Sequence, residues 1–164
     1  MPVTFPSGKV VDARLYIRPY ARECLQEARR HFEVAVFTAS HQCYADAVLD
    51  YLDPNKTLIQ HRLYRQSCVV VNGIYIKDLR IITNWNIKNI IIVDNAAYSF
   101  GYQLDNGIPI ISWHNDPNDR ELYNLIDYMK VLQASDDIRE VNRRIFKLST
   151  FVDEHRAQFE KNLQ

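Results

Sequence analysis

The stretch Ile90-Ile91-Ile92-Val93-Asp94-Asn95 is the strongest indication of the architecture, because four apolar, β-branched residues lead directly into an acid and an amide. Such a run predicts a strand buried on both faces, as in a parallel sheet with helices on each side. Asp94 and Asn95 would follow its carboxyl end, where open α/β sheets bind their ligands. Their oxygen atoms suit a hard cation such as Mg²⁺. A second interpretation is that Asp94 only caps the following turn.

Outward from this stretch, strand and helix patterns alternate, which predicts an α/β domain. Residues 81–89 fit neither pattern. The predicted elements are a β-hairpin over 3–17, a helix over 20–31, a buried strand over 34–37, a helix over 44–52, short strands over 63–71 and 74–76 that meet at Asn72-Gly73, a strand over 108–111, and a helix from Asn118 or Asp119 to Gln133.

The last thirty residues carry apolar side chains at helical spacing, with acids and bases between them. This pattern predicts one amphipathic helix over 135–164, after a domain over 1–134. The helix would either pack on its own domain or bind a partner helix. The apolar positions are Ile138, Val141, Ile145, Leu148 and Val152.

Composition excludes several classes of function. The 164 residues contain 20 basic and 20 acidic side chains, so no global field favours nucleic acid or a membrane surface. The apolar runs are too short to span a bilayer. Cys24, Cys43 and Cys68 have no Cys-x-x-Cys spacing, which predicts reduced thiols and a nuclear or cytoplasmic location.

Polar residues end two predicted strands, at Phe37-Thr38-Ala39-Ser40 and at Val93-Asp94-Asn95, and Lys77-Asp78 lies between them in sequence. Hydroxyl and ammonium groups bind phosphate oxygens, whereas a carboxylate and an amide bind Mg²⁺. Together these residues indicate phosphoryl chemistry.

Seven ordered segments within about residues 3–145 resemble the small CTD phosphatases, also called NLI-interacting-factor-like phosphatases, of the haloacid dehalogenase superfamily. The segments are Leu15-Tyr-Ile-Arg-Pro19, Val36-Phe-Thr-Ala-Ser40, Tyr44-Ala45-Asp46, Arg62-Leu-Tyr-Arg-Gln-Ser-Cys68, Tyr75-Ile-Lys-Asp-Leu79, Ile92-Val-Asp-Asn95 and Ile111-Ser-Trp113. The resemblance implies a doubly wound parallel sheet, with the early hairpin as part of an insert that shapes a peptide groove.

The resemblance also implies an activity, the Mg²⁺-dependent dephosphorylation of phosphoserine and phosphothreonine in proteins, notably the C-terminal repeats of RNA polymerase II. The reaction would pass through an aspartyl-phosphate. The partner would be a phosphoprotein, without direct nucleic-acid or membrane binding. By resemblance, Thr38 hydrogen-bonds the phosphoryl group, Lys77 neutralises the phosphoaspartate, Arg65 contacts the substrate phosphate, and Asn95 binds Mg²⁺ with Asp94 beside it.

One family motif is missing. In the family, a buried strand ending in Asp-x-Asp-x-Thr precedes the hairpin and supplies the nucleophile and the general acid. No two aspartates of this chain are spaced i, i+2. In the family's sheet that strand is central, flanked by the strands that we predict at 34–37 and 90–93. Without it, their inner edges would lack backbone partners, which is costly when they are buried.

Three interpretations of this departure remain open. The sequence is truncated, or it is a pseudophosphatase whose flanking strands pair directly or with another chain, or a partner segment completes the sheet. In each case residues 1–134 form an incomplete phosphatase-like domain, and we expect no turnover from the chain alone. Two non-catalytic functions are a phosphopeptide-binding module built on Thr38, Arg65 and Lys77, and a scaffold held by the C-terminal helix.

Overall fold

The computed structural model describes the backbone of residues 2–162 and the side chains of residues 3–155. It contains two compact units. Within the described residues, unit 1 comprises 2–77 and 112–131, and unit 2 comprises 78–111 and 132–162. None of the helices in 2–162 combines the length and hydropathy that crossing a bilayer requires.

Unit 1 consists of three two-stranded sheets with helices between them. Two pairs are antiparallel hairpins, and the third pair, β3 with β4, is parallel. The elements are β1 (Pro2–Thr4), β2 (Val10–Asp12), α1 (Ala21–His31), β3 (Ala35–Phe37), α2 (Gln42–Leu52), β4 (His61–Leu63), β5 (Val69–Val71), β6 (Ile74–Ile76) and most of α3 (Glu121–Gln133).

The turn between α2 and β4 is fixed by Asp53, which is almost completely buried. Its carboxylate accepts the backbone N–H groups of Thr57, Leu58 and Ile59, each at 2.9 Å. Burial acts to raise the pKa of Asp53, but these three N–H groups outweigh it, and the pKa is lowered. These contacts direct the chain from α2, which ends at Leu52, into β4.

Unit 2 is built around one parallel pair and three 3₁₀ segments. Its core cluster is Leu79, Ile92 and Phe100. Gly107 packs so closely on Phe100 that an added Cβ would lie 1.9 Å from the ring, so only glycine fits there. The elements are β7 (Ile92–Asp94), β8 (Gly107–Pro109), α4 (Ile138–Phe146) and α5 (Leu148–Asn162), with 3₁₀ segments at Leu79–Ile81, Ile87–Asn89 and Ala97–Asn106.

Each parallel pair has one edge that is not paired within the described residues. In β3, the backbone groups of Val36 and of the following Thr38 form hydrogen bonds with β4. The backbone groups of Ala35 and Phe37 therefore point away from β4. In β7, the backbone groups of alternate residues likewise point to opposite sides, so those of Ile91 and Val93 point away from β8. The predicted wide parallel sheet is thus two separate two-stranded pairs in the described chain.

Burial corrects the prediction that these strands are covered on both faces. In β7, Ile92 is buried, but Val93 is only half-buried. In β3, Ala35 is exposed. A central strand of a doubly wound sheet would bury both faces, so these strands have less cover than the sequence predicts.

The larger differences between predicted and observed segments lie in three places. The second strand of the early hairpin ends at Asp12. The segment 63–71 is not one strand, because the 3₁₀ turn Arg65–Ser67 separates β4 from β5. The described part of the segment predicted as one helix, residues 135–162, contains two helices, because Lys147 adopts φ 54° between α4 and α5.

Candidate phosphate-binding site

Thr38 lies directly after β3, in the loop that leads to α2. Its N–H donates to the Leu63 carbonyl at 2.9 Å, and its Oγ1 accepts the Ser40 N–H at 3.1 Å. This leaves the hydroxyl proton to be donated. The loop precedes the N-terminus of α2, whose first turn contains no acid, and the positive end of a helix favours a bound anion.

Arg65 lies in the 3₁₀ turn after β4 and is fixed by this same loop. Its Nε donates to the Ala39 carbonyl at 2.6 Å, and its Nη1 lies 3.3 Å from Nε2 of His41. The guanidinium carbon lies over the ring of Tyr75, 5.1 Å from its centroid. The side chain is therefore oriented beside Thr38, with Nη2 making no hydrogen bond within the described residues.

Cys68 connects the three candidate residues of unit 1. Its Sγ lies 4.0 Å from the Thr38 carbonyl oxygen. Burial raises the pKa of this thiol, and the positive charges of Lys77 and Arg65 oppose that rise, so both cations lie near it. Arg65 and Cys68 thus both contact the loop that begins at Thr38. Lys77 directly follows Ile76, whose partner Val69 directly follows Cys68, so Lys77 lies at the same end of the β5–β6 hairpin as Cys68. Cys68 ends the family-like segment that contains Arg65, but no role in the site was predicted for Cys68 or for His41.

The chain that follows Lys77 is anchored by Asp78. This buried carboxylate accepts hydrogen bonds from the side chain of Arg80 and, at 3.0 Å each, from the Arg80 N–H and the Gln103 amide. The hydrogen bond from the Arg80 side chain is the main reason that the pKa of Asp78 falls to about 2. Gln103 also accepts the Leu79 N–H at 3.0 Å.

Asp94 and Asn95 lie together at the carboxyl end of β7, in unit 2. One oxygen of Asp94 accepts the Ala96 N–H at 2.8 Å, so Asp94 does cap the following turn. Asn95 is exposed. Their oxygens suit Mg²⁺, which is often held by one or two protein groups, water and phosphate. The described residues contain no cluster of three or more acids, histidines or cysteines, so this donor set is partial.

The sequence matches the model of the NLI interacting factor-like phosphatases over residues 1–139. The chain belongs to this family. It is 44% identical over 137 residues to CTD small phosphatase-like protein 2 of Dictyostelium discoideum, which covers 84% of this chain and 24% of that protein. It is 43% identical over 150 residues to CTD small phosphatase-like protein 3 of Caenorhabditis elegans. That match covers 90% of this chain and 51% of the relative. The chain therefore spans about a quarter of the first of these NLI interacting factor-like relatives and about half of the second.

A solved structure confirms the α/β fold of this NLI interacting factor-like chain. The structure is that of Fcp1, described as an essential RNA polymerase II CTD phosphatase. The likeness has a TM-score of 0.62 at 18% identity, and it covers 82% of this chain and 40% of that one. The family and the fold class predicted from the sequence are both confirmed.

Proposed function

We propose that this chain contributes the phosphate-binding part of a phosphoserine and phosphothreonine protein phosphatase, with substrates like the C-terminal repeats of RNA polymerase II. The observation that supports this most is that Arg65 and Cys68 both contact the loop that begins at Thr38, while Lys77 lies at the same end of the β5–β6 hairpin as Cys68. Family membership and the names of the CTD phosphatase relatives support the same substrate class. We propose a nuclear or cytoplasmic location.

Each residue has a distinct chemical task in this proposal. The Thr38 hydroxyl donates its proton to a phosphoryl oxygen, and the Arg65 guanidinium binds another through Nη2. The ammonium group of Lys77 offsets the charge that develops on the transferred group. The positive end of α2 stabilises the same anion.

Asp94 and Asn95 would hold Mg²⁺, which supplies charge neutralisation when bound. The expected aspartyl-phosphate needs a nucleophile and a general acid, and no Asp-x-Asp occurs in the 164 residues. We propose that these groups come from a segment outside the 164 residues or from a partner strand. By themselves, the 164 residues would bind substrate without turning it over.

The second candidate function is a non-catalytic phosphopeptide-binding module. The anchored Arg65 favours it, because phosphate recognition requires donors and not a nucleophile. The two functions share the phosphate site and differ in turnover. Both can therefore be tested with one protein sample.

Calorimetry with a peptide that copies the polymerase repeats, with and without phosphoserine, tests the site. We expect the phosphorylated form to bind more tightly, and Arg65→Ala to weaken that binding about tenfold. Arg22→Ala is the matched control, since Arg22 also lies over a tyrosine, with its guanidinium carbon 5.4 Å from the Tyr51 centroid. Equal binding of the two peptides would reject the phosphate site.

A phosphate-release assay with Mg²⁺ separates catalysis from binding. We expect no release from the 164-residue chain. Mg²⁺-dependent release that Asp94→Ala abolishes would contradict this expectation, and it would mean that the 164 residues hold a complete catalytic set.

A further inference from the structure

The β5–β6 hairpin presents an apolar residue on the face that turns away from the core of unit 1. The register pairs Val70 with Tyr75 and Val69 with Ile76. Because side chains alternate along a strand, Val70 and Tyr75 share one face of the hairpin, and Ile76 lies on the other. Ile76 is buried, whereas Val70 is 58% exposed, which is more than the 38–46% of the other apolar residues of the two strands, Val69, Val71 and Ile74. Val70 is therefore not needed to pack the core.

The face that carries Val70 is continuous with the candidate phosphate site. The guanidinium of Arg65 covers the Tyr75 ring, and Tyr75 lies opposite Val70 in the hairpin. We call Arg65, Tyr75 and Val70 the recognition face. A cation thus stands at one end of this face and an exposed aliphatic group at the other.

Charge favours an anionic occupant. The segment from Arg65 to Lys77 contains these two cations and no acid, although the whole chain has a net charge of zero. A phosphorylated residue carries close to two negative charges at neutral pH, and it would be attracted to this end of the hairpin. An aliphatic neighbour of that residue would then lie within reach of Val70, since an extended chain advances about 3.3 Å per residue.

We infer that the recognition face binds an apolar side chain next to the phosphorylated residue of a substrate peptide, with Val70 as the residue that sets this preference. The inference rests on the proposed function, because Arg65 must hold the phosphate. Covering Val70 with an aliphatic side chain removes apolar area of both partners from water, which stabilises the complex.

The test uses two phosphoserine peptides that differ only beside the phosphoserine, with valine in one and the isosteric threonine in the other. The parent chain should bind the valine peptide about fourfold more tightly, the effect of burying about one methyl group. Val70→Thr should abolish this preference, and Val70→Ile should keep it. Val131→Thr is the matched control, since Val131 is 55% exposed and lies on α3.

The outcomes separate the inference from the proposed function. A parent chain that binds neither phosphopeptide above its unphosphorylated form overturns both. Phosphate-dependent binding with an unchanged preference in Val70→Thr overturns the inference alone. The other possible occupant of the recognition face is a second copy of the chain. In that case Val70→Thr would reduce self-association in sedimentation and leave the peptide preference unchanged. This outcome would also overturn the inference.

Discussion

At the scale of single residues, Asp78 determines how the chain continues after Lys77. Its carboxylate accepts a bidentate ion pair from the exposed Arg80 and a hydrogen bond from Gln103. It also caps the 3₁₀ segment Leu79–Ile81 through the Arg80 N–H. These contacts fix the backbone of the segment that begins at Asp78.

The lowered pKa of Asp78 makes part of the stability depend on pH. The pKa of this carboxyl group is about 2 in the folded protein, below its ordinary value of 3.8. Its contribution is therefore complete above about pH 4 and is lost as the pH falls towards 2. We expect Asp78→Asn to be less stable than the parent by about 1–2 kcal/mol at pH 7, with a difference that shrinks below pH 4.

Urea unfolding of both proteins between pH 2 and 7 measures this difference. Asp127→Asn is the matched control, because Asp127 pairs with Lys130 on the exposed surface of a helix. A destabilisation by Asp78→Asn that stays constant down to pH 2 would contradict the assigned ion pair.

At the scale of elements, periodicity predicted the regular helices but not the points where tertiary contacts interrupt the chain. The helix predicted at 20–31 is observed at Ala21–His31. The 3₁₀ turn Arg65–Ser67 was missed because Arg65 bonds the distant Ala39 carbonyl. The break at Lys147 was missed because the apolar stripe continues across it. Asp105 binds both Arg143 of α4 and Ser149 of α5, which favours two short helices.

The left-handed conformation of Lys147 gives a test of this break. A residue with a Cβ is strained at φ 54°, so Lys147→Gly should raise the free energy of unfolding by about 0.5–1 kcal/mol. Arg144→Gly, inside α4, should lower it by about 1 kcal/mol. Thermal unfolding of the two variants measures both effects. Destabilisation by both glycines would instead indicate one continuous helix, as the sequence pattern predicts.

At the scale of the whole molecule, the sequence predicted the α/β class and the family, because seven motifs recur in order. It also predicted which polar residues lie at the carboxyl ends of β3 and β7. It assigned no role to Cys68, because the segment that ends at Cys68 does not by itself show that the thiol packs on the Thr38 carbonyl. The strands were predicted to be buried on both faces, as in a complete sheet. In the described chain each parallel pair instead has one open edge.

These open edges predict a specific pattern of amide exchange. Amides that point away from the paired strand should exchange at least tenfold faster than their inward neighbours, because only the inward amides are hydrogen-bonded. The outward amides are those of Ala35, Phe37, Ile91 and Val93, and the inward ones are those of Val36, Thr38, Ile92 and Asp94.

Hydrogen exchange followed by NMR measures these rates with and without an added peptide that consists of an apolar strand ending in Asp-x-Asp-x-Thr. We expect the peptide to slow the outward amides and to leave the inward amides unchanged, because a new strand bonds only the open edges. A peptide with the same composition in scrambled order is the control. Outward amides that are already as protected as inward ones would mean that the edges are paired in the chain alone, without a completing strand.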